Sequence, residues 1–156
     1  MHPNAQLLET FYAAFARRDA AAMAACYHAD ARFADPVFPA LDGAGVRAMW
    51  AMLCAGGKDL RIEASGIVAD DSEGRAHWDA HYTFSGTGRP VLNRIDASFR
   101  FRDGLIVDHR DVFDFHAWAT QALGLGGRLL GGSGWLRRKV QKQAAARLDA
   151  WQRRKP

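Results

Sequence analysis

The chain has 156 residues, 49% of them hydrophobic and 24% charged, with a formal net charge of +4. That length suits one domain, able to bury roughly 70% of the surface its unfolded chain would expose without disulfide or metal staples. No apolar run approaches the ~20 residues that span a bilayer and no charged-then-apolar leader opens the chain, so the expected setting is cytoplasmic.

The charge is unevenly placed. Residues 124 to 156 hold nine Lys or Arg against one acidic residue, Asp149, a net +8 that leaves −4 on the preceding 123 residues. The basic character therefore belongs to the tail and does not make the body a nucleic-acid binder. Cys26 and Cys54 fall inside helical patterns as small buried hydrophobes, without disulfide or metal spacing.

In chain order, residues 4 to 17 read as an amphipathic helix with Asn4 as cap and Leu8, Phe11 and Phe15 inward. Asp19 caps a second, shorter helix whose inward residues are Met23, Cys26 and Tyr27. Residues 31 to 35 form a short strand, with Phe33 and Asp35 on one face and Pro36 ending it. Asp42 and Gly43 open a third helix with the stripe Val46, Met49, Trp50 and Leu53, and Gly56-Gly57 stops it. From residue 60 the period changes to two. Strands are expected at 60–69, 75–85, 91–102 and 105–114, the last pair joined by the hairpin signal Asp103-Gly104. Helices first and hairpins afterwards indicate an α+β fold, an antiparallel sheet packed on helices. A short helix carrying Trp118, Ala122 and Leu123 follows. A glycine-rich linker then leads to a final basic helix, capped by Ser133, with the stripe Leu136, Val140, Ala144, Leu148 and Trp151.

Alternation assigns the faces of the strands. Trp78, Ala80, Tyr82 and Phe84 share one face, as do Val91, Asn93, Ile95, Ala97, Phe99 and Phe101. Arg94, Asp96, Ser98 and Arg100 take the opposite face, where charge pairs with Asp108 and Arg110 are available. In the last strand Val107, His109, Asp111 and Phe113 are placed on the helix-covered side, with Ile106, Asp108, Arg110 and Val112 opposite. A bulge would reverse that assignment.

Two helices, the strand Ala31–Asp35, a third helix and four hairpin-linked strands resemble the nuclear transport factor 2-like superfamily over residues 4 to 123. The general resemblance is to a SnoaL-like, polyketide-cyclase-like protein. It implies a cone: a curved antiparallel or mixed sheet wrapped around N-terminal helices, open at one end on an apolar pocket. Residues 124–156, the linker and basic helix, lie outside the resemblance and are specific to this chain. The segment Tyr27-His28-Ala29-Asp30-Ala31-Arg32-Phe33-Ala34-Asp35-Pro36 resembles ketosteroid isomerase, whose Asp before Pro moves a proton. His109-Arg110-Asp111-Val112-Phe113-Asp114 resembles the last strand of limonene epoxide hydrolase, whose matching Asp helps activate water. The departures are specific. The isomerase's two oxyanion donors fall on Phe11 and Ala97, neither a donor, and loss of one such donor costs about 10²–10³ in rate. The hydrolase's partner Arg and Asp fall on Trp78 and Ala80, and Asp35 stands where it has an Asn.

Asp111 and Asp35 are therefore the candidate acid/base pair, with His109 as an orienting or proton-sharing neighbour; two carboxylates in one apolar cavity push each other's pKa apart. The structural alternatives are a turn role for Asp35, an Arg partner for Asp111 and a satisfied imidazole for His109. Phe33, Trp50, Trp78, Tyr82, Asn93, Phe113 and Trp118 are expected to line or floor the pocket. His77, Asp79 and His81 share a face at metal-compatible spacing, but it is the outer one, so no metal is assigned. No cofactor is expected. The partners anticipated are a small hydrophobic or carbonyl-containing ligand and a second copy through the sheet's outer face. Packing over the body or a second subunit is preferred to a membrane surface or nucleic acid for the last helix. Two functions remain open: a cofactor-independent isomerase, cyclase or epoxide hydrolase, and a non-catalytic ligand-binding or dimerisation module.

Overall fold

A computed structural model describes residues 1–154. The anticipated C-terminal segment ends at 156, and Lys155 and Pro156 lie outside the described residues. Helix α1 spans Pro3–Ala16 and is capped by His2, whose Nδ1 accepts the Asn4 N–H at 3.0 Å, not by Asn4. The Asn4 side chain instead donates to the carbonyls of Asp70 and Asp71, tying α1 to a distant turn. Leu8, Phe11, Tyr12, Ala14 and Phe15 are all buried, a wider arc than one amphipathic stripe, because the sheet curves around the helix. Tyr12 is thus a core residue, packed edge-on against Phe11.

Asp19 caps α2, Ala20–Ala24, by accepting from Ala22 N. Tyr27 belongs not to that helix but to strand β1, Tyr27–Ala34, which begins earlier than alternation predicts. Pairing with β5 captures it: Tyr27 registers with Ile106, whose N–H donates to Cys26 O. Asp42 caps α3, Gly43–Gly56, and Gly57 ends it.

Strands β2 (Arg61–Ala69), β3 (Glu73–Phe84), β4 (Arg89–Arg102) and β5 (Leu105–Val112) form consecutive antiparallel hairpins. The sheet order is β1-β5-β4-β3-β2, with β1 parallel to β5, so the sheet is mixed and open. Asp103 and Gly104 both have positive φ in the β4–β5 turn, as that tight hairpin requires. Register shifts in three of the four strand pairs bend the sheet. One lies at the start of β5, between the Ile106–Phe101 and Asp108–Arg100 pairs. It turns Ile106 into the core and leaves Val107 half-buried, the reverse of simple alternation. Because the shift precedes residue 108, His109 and Asp111 keep the inner face.

Helix α4, Phe115–Leu123, is capped by Asp114. The glycine-rich stretch is not a linker throughout: Leu125–Leu130 form α5, packed on α4. A Cβ on Gly127 would collide with the Ala119 carbonyl, so glycine is what lets the two helices touch. Ser133 Oγ accepts from Leu136 N at the start of α6, Gly134–Arg154. This helix packs over the body: Leu136 joins a cluster with Phe115 and Trp118, and Leu148 enters the main core.

Candidate active site

The site is built from β5 outward. His109 is fully buried and Asp111 is 4% exposed. The His109 Nε2 lies 2.8 Å from Asp111 Oδ1, and Nδ1 lies 2.7 Å from the Tyr27 hydroxyl. That hydroxyl also accepts Trp50 Nε1–H at 2.8 Å. Donors and acceptors can be assigned in only one way around an ionised Asp111 and a neutral imidazole. Nε2 carries the ring hydrogen and donates to Asp111. Nδ1 accepts from Tyr27, and Tyr27 accepts from Trp50. The row Trp50–Tyr27–His109–Asp111 uses every hydrogen it has. Burial holds the Tyr27 hydroxyl well above its ordinary pKa, so its proton stays in the row. Phe11, Phe33 and Phe99 wall the imidazole.

Asp111 Oδ2 has no partner among the described residues and faces a cavity of about 380 Å³. Asp35, Trp50, Trp78, Tyr82, Asn93, Phe113 and Trp118 also line it. Phe33 and His109 do not; both sit behind the wall, 2% and 0% exposed. Register gives the cavity depth. Asp111 pairs with Ala97 and Asn93 with Ala80, so roughly 13 Å of strand separates the deep carboxylate from the Asn93 row.

Asp35 combines the turn and pocket readings. Its Oδ1 accepts from Val37 N at 2.7 Å and Phe38 N at 2.6 Å, which sets the turn through Pro36. It also lines the cavity. By exposed area it is only half-buried, since the mouth reaches it, yet the surroundings are apolar. Burial pushes its carboxyl from the ordinary 3.8 up to about 6, against the pull of the two N–H bonds and with Asp111 adding to the rise. Asp111 has no Arg partner among the described residues; its partner is the His109 ring N–H. Tyr82 accepts Trp118 Nε1–H at 2.7 Å, which leaves its own O–H to donate. The Asn93 amide, 9% exposed, makes no hydrogen bond within the described residues.

On the outer face, His77 bonds Asp96 and Asp79, and these bonds raise its pKa. Among the described residues no group of three or more His, Cys, Asp or Glu is placed to hold a metal. The charge pairs anticipated there are rearranged: Arg100 meets Glu73, and Arg110 meets Asp108 on its own strand. Sequence reasoning missed the part Tyr27 plays and the presence of Arg147 on the cavity wall. Tyr27 is 82 residues from His109, and no periodicity links them. The one available signal was Trp50, since a buried indole N–H needs an acceptor.

Comparison with known proteins follows the same lines. Residues 8–109 match the SnoaL-like domain family. IdmH from Streptomyces antibioticus, a candidate polyketide cyclase, superposes with a TM-score of 0.65 at 24% identity, covering 80% of this chain and 100% of its own. TerC, co-crystallised with polyporic acid, gives 0.66 at 20% identity, over 76% of this chain and 97% of its own. An LEH-like epoxide hydrolase from M. tuberculosis gives 0.63 at 19% identity, over 82% and 96%. At these identities the likeness is one of fold. Among curated proteins nothing matches. No helix among the described residues is long and apolar enough to cross a membrane.

Proposed function

The chain belongs to the SnoaL-like domain family of the nuclear transport factor 2-like superfamily, and from that premise we propose that its pocket takes a small, largely apolar carbonyl or epoxide compound and moves a proton on it without a cofactor. One observation carries the reading. A carboxylate at the deep end of an apolar cavity has one oxygen held by a buried imidazole and the other turned to the ligand space. Asp111 is the base, held in one orientation by the His109–Tyr27–Trp50 row. Asp35, neutral up to about pH 6, is the acid facing the same cavity. On a ketone, Asp111 removes the proton beside the carbonyl while Asp35 gives its proton to the developing enolate oxygen; an aldol-type closure then returns both. On an epoxide, Asp35 protonates the ring oxygen as Asp111 takes a proton from the attacking water. Each transfer is worth about 10²–10⁴ in rate. The isomerase-type oxyanion donors are lacking at Phe11 and Ala97, and Tyr82 O–H and the Asn93 amide are among the donors that line the cavity and can fix the ligand.

The test needs no natural substrate. Deuterium uptake beside the carbonyl of a panel of apolar cyclic ketones is followed by NMR, alongside opening of apolar epoxides. The full chain is expected to accelerate one of the two, and Asp111→Asn to lose that acceleration by about 10²-fold or more. Failure of both reactions, with an apolar probe still bound in the cavity, would replace the enzyme by the second reading, a ligand-binding module. The missing donors at Phe11 and Ala97 favour that second reading.

A further inference from the structure

The cavity wall includes four residues from outside the span matched by the family, Asp111, Phe113, Trp118 and Arg147, and the last of them comes from the C-terminal helix. Arg147 lies on α6, past residue 109 where the match ends. Among the described residues it is the only Lys or Arg that lines the cavity. The other charged lining groups are carboxylates. Asp111 is bonded to His109, Asp35 to the Val37 and Phe38 N–H groups, and Asp59 to Thr83. Among the described residues no carboxylate pairs with Arg147.

The helix that carries this guanidinium is fixed. Gln141 Nε2 donates to Pro36 O at 3.0 Å, on the turn that holds Asp35. Leu148, the next residue after Arg147, is buried in the core. Arg147 follows Ala144 by three positions and precedes Trp151 by four, so it flanks the packed stripe and projects at the edge of the contact. A basic helix has many solvated cations, and Arg138 and Lys142 line a separate, more open hollow under α6. Among the described residues, Arg147 is the cation of that helix that lines the cavity with the carboxylates.

We propose that α6 is the outer wall of the pocket and that Arg147 reads an anionic group on the ligand. The substrate class is then an apolar molecule bearing a carboxylate or similar oxyanion at the mouth, while its reacting carbon lies deep, against Asp111. A guanidinium suits that task, because its planar fork meets a carboxylate through two parallel N–H bonds. The inference rests on the pocket reading above, and the experiment separates the two.

Two fluorescent probes of one skeleton serve: anilinonaphthalene sulfonate and its uncharged parent, phenylnaphthylamine, each titrated into the full chain. The anion is expected to bind more tightly than the neutral probe. Arg147→Gln is expected to weaken the anion roughly three- to tenfold and leave the neutral probe unchanged. Arg147→Lys should retain part of the preference, and Lys142→Gln, on the same helix, all of it. Equal weakening of both probes by Arg147→Gln, or loss of the preference in Lys142→Gln, would overturn the assignment. Neutral binding without any anion preference would defeat this inference alone, whereas binding of neither probe would defeat the pocket reading and this inference with it.

Discussion

Asp35 closes a turn and lines a cavity, and the two duties set its protonation. Its carboxyl sits at about 6 in the folded protein against an ordinary 3.8, so the folded state holds the proton more tightly than the unfolded chain. The sign follows. Stability from this group is fully present below about pH 4 and is lost as pH rises through about 6. Asparagine keeps an oxygen for the Val37 and Phe38 N–H groups and carries no charge. Asp35→Asn is therefore expected to be more stable than the parent at pH 8, by on the order of 1–3 kcal/mol, and equal to it below pH 4. Urea denaturation at the two pH values measures this, and an Asp35→Asn protein no more stable at pH 8 would show that the carboxyl ionises without cost. A gain in stability together with a loss of catalysis is the mark of a residue kept for function.

At the scale of elements, the decisive pieces are β5 and the α4–α5 contact. With Ile106 facing inward, the register shift before Asp108 is what brings His109 and Asp111 to the inner face; without it, alternation from Ile106 would turn both to solvent. The α4–α5 contact depends on a missing side chain. A Cβ at Gly127 would meet the Ala119 carbonyl and carbon, and one at Gly131 would meet His116 and the Gly127 carbonyl. Gly127→Ala is expected to cost about 1–3 kcal/mol by overpacking, although alanine is the better helix former. Thermal unfolding reads this directly, and an unchanged or raised midpoint would mean α5 does not hold its place on α4. Glycine density and helix are not opposites here, since close approach of two helices needs the first to have the second.

For the whole molecule, the uneven charge invites an electrostatic account of how the basic tail meets the acidic body. The contacts are of another kind. Among the described residues no ion pair joins α6 to the body, and its salt bridge is internal, Arg153 to Asp149. The helix is held by Leu136, Leu148, the Gln141–Pro36 bond and Arg137 over the Phe115 ring. Amide exchange of α6 should therefore be nearly the same at low and high salt, because burial of apolar surface is not screened. Leu148→Ala should loosen the helix, by about 2–4 kcal/mol for a buried leucine. A steep salt dependence with little effect of Leu148→Ala would restore the electrostatic account.

The architecture was largely legible in the residues: the change of period at residue 60, the Asp19 and Asp42 caps, the Asp103-Gly104 turn and the inward face of Asp111 are local signals acting over a few positions. The fourfold row through Tyr27 and Trp50, the parallel pairing that drew Tyr27 into a strand, and the guanidinium of α6 on the pocket wall were not. Each joins residues far apart in the chain, 23 positions from Tyr27 to Trp50 and 82 from Tyr27 to His109, and hydrogen bonding or packing over such spans leaves no period in the chain. Local backbone preference writes itself along a sequence; the meeting of distant side chains is decided only when the sheet bends and the core closes.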